Sequence, residues 1–397
     1  MKKFLAIALA LVMILALAAC GGSDTPASSP DVSPPAGNDG GGGDTSPGGG
    51  SDNTPDNTPD NPPPAQADGF ELALITDLGS IDDRSFNQGS WEGLEQYALE
   101  NNITHKYYQP ADQGDDSYLN AIDLAVQSGA KVIVTPGFLF ETPIFVAQDR
   151  YPDVKFILID GTPHAGDYNP VVAANTVGVL YAEEQAGFLA GYAAVKDGYT
   201  QLGFMGGIAV PAVVRFGHGY VQGAEAAAQD MGLADGSILL NYFYTDAFWP
   251  MPEIQTRAAA WYNDGIEVIF SCGGAISDSI IPAASQYGQK VIGVDVDQSG
   301  LSDTIITSAM KELAKSVYDC ITDFYSNSFP GGQVLIFSAA NGGVGLPMAT
   351  SRFNTFSQAD YEAIFARLLS GAVVVDDDIS ITPDAIPARA VNVNYQG

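Results

Sequence analysis

Positive charge is scarce in this 397-residue chain: 16 Lys and Arg stand against 47 Asp and Glu, a formal net charge of −31. A surface that held nucleic acid or lay on anionic lipid would need the opposite balance, so no nucleic-acid partner is expected. Cysteine is scarce as well, and Cys20, Cys272 and Cys320 cannot build a disulfide framework. The three histidines, His105, His164 and His218, are scattered. No His-Glu-x-x-His and no cysteine pair at zinc spacing accompanies them, so neither a metal nor another cofactor is expected. Also missing are a Gly-x-Ser-x-Gly elbow and a Gly-x-Gly-x-x-Gly fingerprint after a strand. These absences count against hydrolytic, metal-dependent and dinucleotide-dependent chemistry, and the chain is expected not to be an enzyme.

What is there begins with an export signal over residues 1–19. Lys2 and Lys3 lead an apolar stretch, residues 4–17, and Leu17-Ala18-Ala19 precedes Cys20. The apolar stretch is shorter than the roughly 20 residues a membrane span requires. The arrangement resembles the bacterial lipobox, which implies that Cys20 is diacylated on sulfur, becomes the mature N-terminus and anchors the protein to the outer face of the cell membrane. Residues 20–68 hold almost nothing apolar. Glycine runs at 40–43 and 48–50 and the repeat of Asp52-Asn53-Thr54-Pro55 as Asp56-Asn57-Thr58-Pro59 mark a disordered tether. No Gly-Lys-Ser/Thr follows the glycines, so they form no phosphate loop.

From residue 70 the texture changes to short apolar runs alternating with helical patterns. Strands are expected at 70–76, 105–109, 131–135 and 155–160, with helices at 85–100 and 118–127 between them. A second series follows: helices at 181–195, 213–231 and 254–262, and strands at 201–205, 238–244, 267–271 and 290–294. The division falls near 176–180. Such alternation predicts an α/β fold of two doubly wound, three-layer lobes with parallel central sheets. Solutes of such folds bind beyond the carboxyl ends of the strands. The polar residues at those ends are Asp77, Asp160, Gly273-Gly274, and Asp295 with Asp297, and they point to one crevice between the lobes.

The densest polar stretch of the folded part runs Thr76-Asp77-Leu78-Gly79-Ser80-Ile81-Asp82-Asp83-Arg84-Ser85-Phe86-Asn87-Gln88. A plain strand-to-helix turn needs one acid, Asp82 or Asp83, as a cap. That leaves Asp77 and Phe86 as candidates for solute contact, with Asn87 beside them. Asp160 precedes Gly161 and reads as a hydrogen-bond acceptor or a loop cap, the acceptor being favoured. Phe248 and Trp249 stand in a polar turn, where packing is an equal reading; Phe270, inside an apolar run, belongs to the core. Asp295 and Asp297 share side-chain parity and are expected to point the same way, with no calcium-loop spacing around them. Lys311 follows the strand-like run 305–308 and is expected to begin a helix.

The stretch from Asp77 to Asn87, followed by Trp91-Glu92-Gly93, resembles the opening signature of the basic membrane protein (Bmp) family of lipoproteins. Glu183-Glu184-Gln185-Ala186-Gly187-Phe188-Leu189-Ala190-Gly191, Gly293-Val294-Asp295-Val296-Asp297-Gln298 and Thr307-Ser308-Ala309-Met310-Lys311 match later segments in order. The resemblance implies a fold similar to type I periplasmic binding proteins, with two lobes joined by three crossovers. It implies lobes of residues 69–178 with 308–335, and 179–307 with 336–397. It also implies capture of a nucleoside of the purine type for an ABC transporter permease. In that reading Asp77, Asn87 and Asp160 meet the base, Phe86 and Phe248 stack on its two faces, and Gly274, Asp295 and Lys311 hold the ribose hydroxyls. A pocket with three carboxylates and one lysine repels phosphate, which favours nucleosides over nucleotides. A sensor lipoprotein serving a signalling partner, a binder of a sugar or other small polar solute, and an enzyme acting on nucleosides are the alternatives.

Overall fold

The computed structural model describes residues 69–77 and 79–397. The export signal, Cys20 and the tether lie outside the described residues. In chain order the elements are β1 (Leu72–Ile75), α1 (Phe86–Asn101), β2 (His105–Tyr108), α2 (Asp115–Gln127), β3 (Val132–Pro136), α3 (Glu141–Arg150) and β4 (Lys155–Ile159). Then come β5 (Thr176–Tyr181), α4 (Glu183–Lys196), β6 (Gln201–Gly206), α5 (Pro211–Met231), β7 (Ile238–Tyr244), α6 (Pro252–Asn263), β8 (Val268–Cys272) and α7 (Ser277–Tyr287). The last are β9 (Lys290–Asp295), β10 (Ile305–Lys311), α8 (Leu313–Tyr325), β11 (Gln333–Phe337), β12 (Val344–Gly345), α9 (Gln358–Leu369) and β13 (Val391–Tyr395).

Two sheets organise these elements, in the orders β11-β5-β4-β3-β1-β2 and β12-β10-β9-β8-β6-β7-β13. Among the described residues every strand pair is parallel except β10 with β12. The central strands are unbroken apolar runs, as in Leu72-Ala73-Leu74-Ile75 and Val268-Ile269-Phe270, because helices cover both faces. The chain therefore forms two doubly wound lobes. It passes between them three times: at Ala182 between β5 and α4, at Glu312 between β10 and α8, and at Ser338 between β11 and β12.

These passages differ from the expected layout. The boundaries read from the sequence, 178/179, 307/308 and 335/336, fall inside β5, β10 and β11. Residues 176–180 are no gap but most of β5, paired with β4 on one side and β11 on the other. Lys311 does not begin a helix; it closes β10, and α8 starts at Leu313. At the first two passages a strand of the hinge runs directly into a helix, and the sequence offers no Gly or Pro to mark the join.

Glycine sets the spacing of two helix pairs. A Cβ placed on Gly93 of α1 would lie 2.2 Å from Ala314 O of α8. Between α4 and α5 the fit is reciprocal: a Cβ on Gly187, Gly191, Gly219 or Gly223 would stand 2.0–2.1 Å from a carbonyl oxygen of the facing helix. Glycine is required there because backbone meets backbone. Cys272 on β8 and Cys320 on α8 are free and buried.

Candidate functional site

The carboxyl ends of the central strands converge on Lys311. Its ammonium, almost fully buried, donates to Asp160 Oδ2 and lies 3.4 Å from Glu183 Oε1 and 3.8 Å from Asp295 Oδ1. The rings of Phe86, Tyr181 and Phe216 surround it, with centroids 5.0, 5.2 and 5.5 Å from Nζ. Asp160 follows β4 of the first sheet, whereas Asp295 ends β9 of the second. Both take a left-handed backbone, φ +54° and +66°, which side chains other than glycine seldom adopt. Such conformations persist where the surroundings fix them, and they gather at ligand clamps.

The first lobe's loop is organised by Asp83 rather than Asp82. Asp83 Oδ1 accepts from the amides of Ser85 (2.9 Å) and Gln88 (3.1 Å), and Oδ2 from the amide of Asn87 (2.9 Å), which caps α1. Asn87 Nδ2 donates to Asp77 Oδ1 and to Asp83 Oδ2, both at 2.9 Å. Asn87 thus spends one amide hydrogen on aiming Asp77 and the other on the capping acid Asp83. Phe86, the first residue of α1, is half-buried. A Cβ on Gly137, which has φ +111°, would lie 3.3 Å from Asp77 Oδ2 and 3.7 Å from Phe86 Cε1, so this glycine keeps the wall beside both residues thin.

On the second lobe Phe248 lies over glycines. A Cβ on Gly207 would come within 2.5 Å of its ring, and one on Gly274, at φ +52°, within 2.9 Å of its carbonyl oxygen. Phe248 and Gly274 therefore form one group, at the end of β8 and next to the end of β9 that carries Asp295. Asp297 departs from expectation. It is exposed and accepts from Thr350 Oγ1 at 2.6 Å and from the Ser299 amide at 3.0 Å. The left-handed turn at Asp295 breaks the strand's alternation, so the parity argument fails. Phe270 is wholly buried against Phe204, Phe216 and Tyr220, in the core.

Three residues that sequence reasoning did not assign to the site complete it. Ser85 Oγ donates to Asp295 Oδ2 at 2.5 Å, joining the lobes. Glu183, the first residue of α4, is wholly buried and accepts from Arg215 Nε of α5 at 2.7 Å. Glu183 had a signal, a pair of acids at a helix start beside a lobe crossover, but first-turn acids are ordinarily solvated. Arg215 had none.

Burial governs the ionisation of the cluster. It pushes the Asp160 carboxyl up to about 7 despite the Lys311 charge, with Glu183 and Asp295 adding to the rise. Burial raises Asp295 as well, against the pull of Lys311 and the Ser85 hydroxyl. For Lys311 burial works against the charge, but Asp160, Glu183 and Asp295 outweigh it and hold the ammonium above the usual lysine range. Asp160 Oδ1 is buried and has no hydrogen-bond partner among the described residues. An acceptor left in that state is costly unless something donates to it.

A polar cluster at facing strand ends, spanning two doubly wound lobes, defines the class of two-lobed solute-binding proteins. The fold agrees with solved ABC transporter solute-binding proteins. One from Aeropyrum pernix K1 superposes with TM-score 0.67 at 22% identity, covering 78% of this chain and 94% of that one. One from Conexibacter woesei DSM 14684 gives 0.64 at 21%, covering 78% and 99%. The chain belongs to the Bmp family, described as ABC transporter substrate-binding protein PnrA-like, whose model matches residues 70–369. Among its relatives is the ABC transporter nucleoside-binding protein BmpA of Lactococcus lactis, 31% identical over 306 residues, 71% of this chain and 83% of the relative. Basic membrane protein A1 of Borrelia garinii is 30% identical over 282 residues, 69% of this chain and 79% of the relative. Among the described residues no helix is long and apolar enough to cross a membrane.

Proposed function

We propose that this protein is an extracytoplasmic solute-binding lipoprotein, anchored through Cys20, that captures a nucleoside of the purine type between its lobes and delivers it to an ABC importer. The observation that carries the reading is the Asp160 carboxylate. One of its oxygens is engaged by Lys311, whose ammonium lies over the Phe86 ring, and the other is buried and unpartnered among the described residues. A base bearing N–H donors suits that oxygen, and an aromatic face suits stacking. The name of the Lactococcus lactis relative points the same way.

In this reading Asp77, aimed by Asn87, and Asp160 receive the donors of the base, with Phe86 and Phe248 on its faces. Lys311, Asp295 and the Gly274 backbone meet the ribose hydroxyls. Lys311 and Asp160 touch in the structure, so the two ends of the solute would share one charged centre. The cluster holds three carboxylates, Asp160, Glu183 and Asp295, against Lys311 and Arg215, and that balance disfavours a phosphate. Stacking is worth roughly 1–3 kcal/mol per face and a hydrogen bond to a charged group about 1.5–3 kcal/mol. After the costs of immobilisation, a micromolar to nanomolar affinity remains, about 8–12 kcal/mol.

Calorimetric titration of the purified protein with nucleosides, free bases, nucleotides and sugars tests the reading. One-to-one binding of a purine nucleoside, with nucleotides much weaker, is the expected result. Heat from a sugar alone would keep the fold and discard the solute. Fractionation tests the anchor: Cys20→Ser should release the protein from membranes. Loss of nucleoside uptake in cells lacking the protein tests delivery.

A further inference from the structure

Glu183 lies behind Lys311, its side chain without exposed surface. It nevertheless joins both cations of the site. Its Oε1 lies 3.4 Å from Lys311 Nζ, and its Oε2 accepts from Arg215 Nε at 2.7 Å. The glycine seam fixes the backbone on either side of this pair. A Cβ on Gly219 would stand 2.0 Å from the carbonyl oxygen of Glu184, next to Glu183, and one on Gly187 would stand 2.0 Å from that of Phe216, next to Arg215. The carboxylate is therefore held from two sides, by its helix and by the guanidinium, and has no freedom to follow the lysine.

Lys311 is less constrained. It stands at the end of β10, directly before a crossover, and its ammonium has three hydrogens to share among three carboxylates. Asp160 belongs to the first lobe and Asp295 to the second. Without a fixed anion on the hinge side, the ammonium would settle between those two and have no set direction toward a third partner. Glu183 supplies that anion. With one N–H directed at Glu183 and one at Asp160, the third is left for a hydroxyl of the solute.

We propose that Glu183 and Arg215 are positioning residues that aim the Lys311 ammonium at the hydroxyl groups of the bound sugar, and so set the preference for a ribonucleoside over its deoxy counterpart. The proposal rests on the nucleoside reading above and deepens it. It gives discrimination between sugars to two side chains that act through Lys311.

The test compares a purine ribonucleoside with its 2′,3′-dideoxy counterpart on wild type, Glu183→Gln, Arg215→Met and Arg215→Lys. Glu183→Gln keeps the volume and one acceptor but removes the charge. It should weaken the ribonucleoside by about tenfold or more and the dideoxy compound by less than about threefold, because a single hydrogen bond to a charged group is lost. Arg215→Met should follow the same pattern, and Arg215→Lys should recover most of the preference. Thermal melts of each variant accompany the titrations. If Glu183→Gln does not fold, the Arg215 pair of variants carries the comparison, since that side chain is partly exposed. Equal losses for both solutes would show a structural role only and overturn the proposal, as would unchanged affinities. Failure of wild type to bind either nucleoside would overturn the nucleoside reading, and this one with it.

Discussion

Asp160 and Asp295 occupy equivalent places in the two lobes. Each ends or follows a buried parallel strand, each has a left-handed backbone, and each faces Lys311. Their surroundings nevertheless differ. Asp295 is tied across the crevice to Ser85 of the opposite lobe, and its Oδ1 lies 3.8 Å from the lysine. Asp160 gives one oxygen to Lys311 and keeps the other buried without a donor. Equivalent positions have thus been given different tasks. Both link the lobes, Asp295 through Ser85 and Asp160 through Lys311, but Asp160 also retains capacity for an incoming hydrogen bond.

The largest effect should come from removing what the two carboxylates share. Lys311→Met leaves Asp160, Glu183 and Asp295 buried with Arg215 as the nearest compensation. Deleting one partner of a buried ion pair typically costs about 3–5 kcal/mol, so a loss of that order in chemical denaturation is expected, with solute binding abolished. A stable variant with intact affinity would dissolve the shared centre on which the comparison depends.

Burial raises both acids, and the pH dependence of binding is tested next at Asp160. Asp160 titrates at about 7, in a setting of Lys311, Glu183, Asp295, Arg215 and Tyr181. Its folded pKa is raised, so the stability it contributes is full below the ordinary carboxylate range and is lost as pH rises through about 7. Solute affinity should move the other way, since a base N–H needs the ionised acceptor: affinity should be higher at pH 8 than at pH 6. Asp160→Asn should flatten both dependences, whereas Asp295→Asn should leave the affinity profile sloped. Titrations and melts across that range decide it; parallel flattening in both variants would erase the distinction.

The alternation of strands and helices was legible because apolar runs and helical periodicity are local, and the strand-end acids were legible because a carboxylate after an apolar run has few reasons to be there. The hinge was not. Between Tyr181 and Glu183, and between Lys311 and Leu313, strand passes to helix within a residue, and only the partners across the sheet reveal which lobe owns the strand. The seam was hidden for a related reason. Gly187 and Gly191, like Gly219 and Gly223, read as weak points in a helix until the two helices are seen face to face. Glu183 is buried beside that contact, so an acid in the first turn of a helix is part of the charged centre.

A smaller effect should mark the bond between lobes. Ser85→Ala removes the hydroxyl that lowers the pKa of Asp295, so that pKa should rise further, as carboxyl titration by NMR would show. The lost hydrogen bond to a charged group should cost about 1.5–3 kcal/mol of stability, with Asp160 unchanged. An equal shift in both acids would mean that the serine acts on the whole cluster rather than on one lobe's carboxylate.

The smallest effect is expected two residues beyond Asp295. Asp297 has the sequence credentials of a site residue: it follows the same strand, and simple alternation would turn it the same way. Its carboxylate is instead exposed and engaged with Thr350 and Ser299, 2.6 and 3.0 Å away, in a loop of the second lobe. Asp297→Asn should change solute affinity by less than about twofold, while Asp295→Asn should lower it by about tenfold or more, as expected for loss of a charged acceptor. The pair isolates one variable, since both substitutions remove the same charge from neighbouring positions. Comparable losses would show that long-range charge governs affinity. A loss confined to Asp295 would place the binding energy in direct contacts at the strand end, where the left-handed turn separates a residue of the crevice from a residue of the surface.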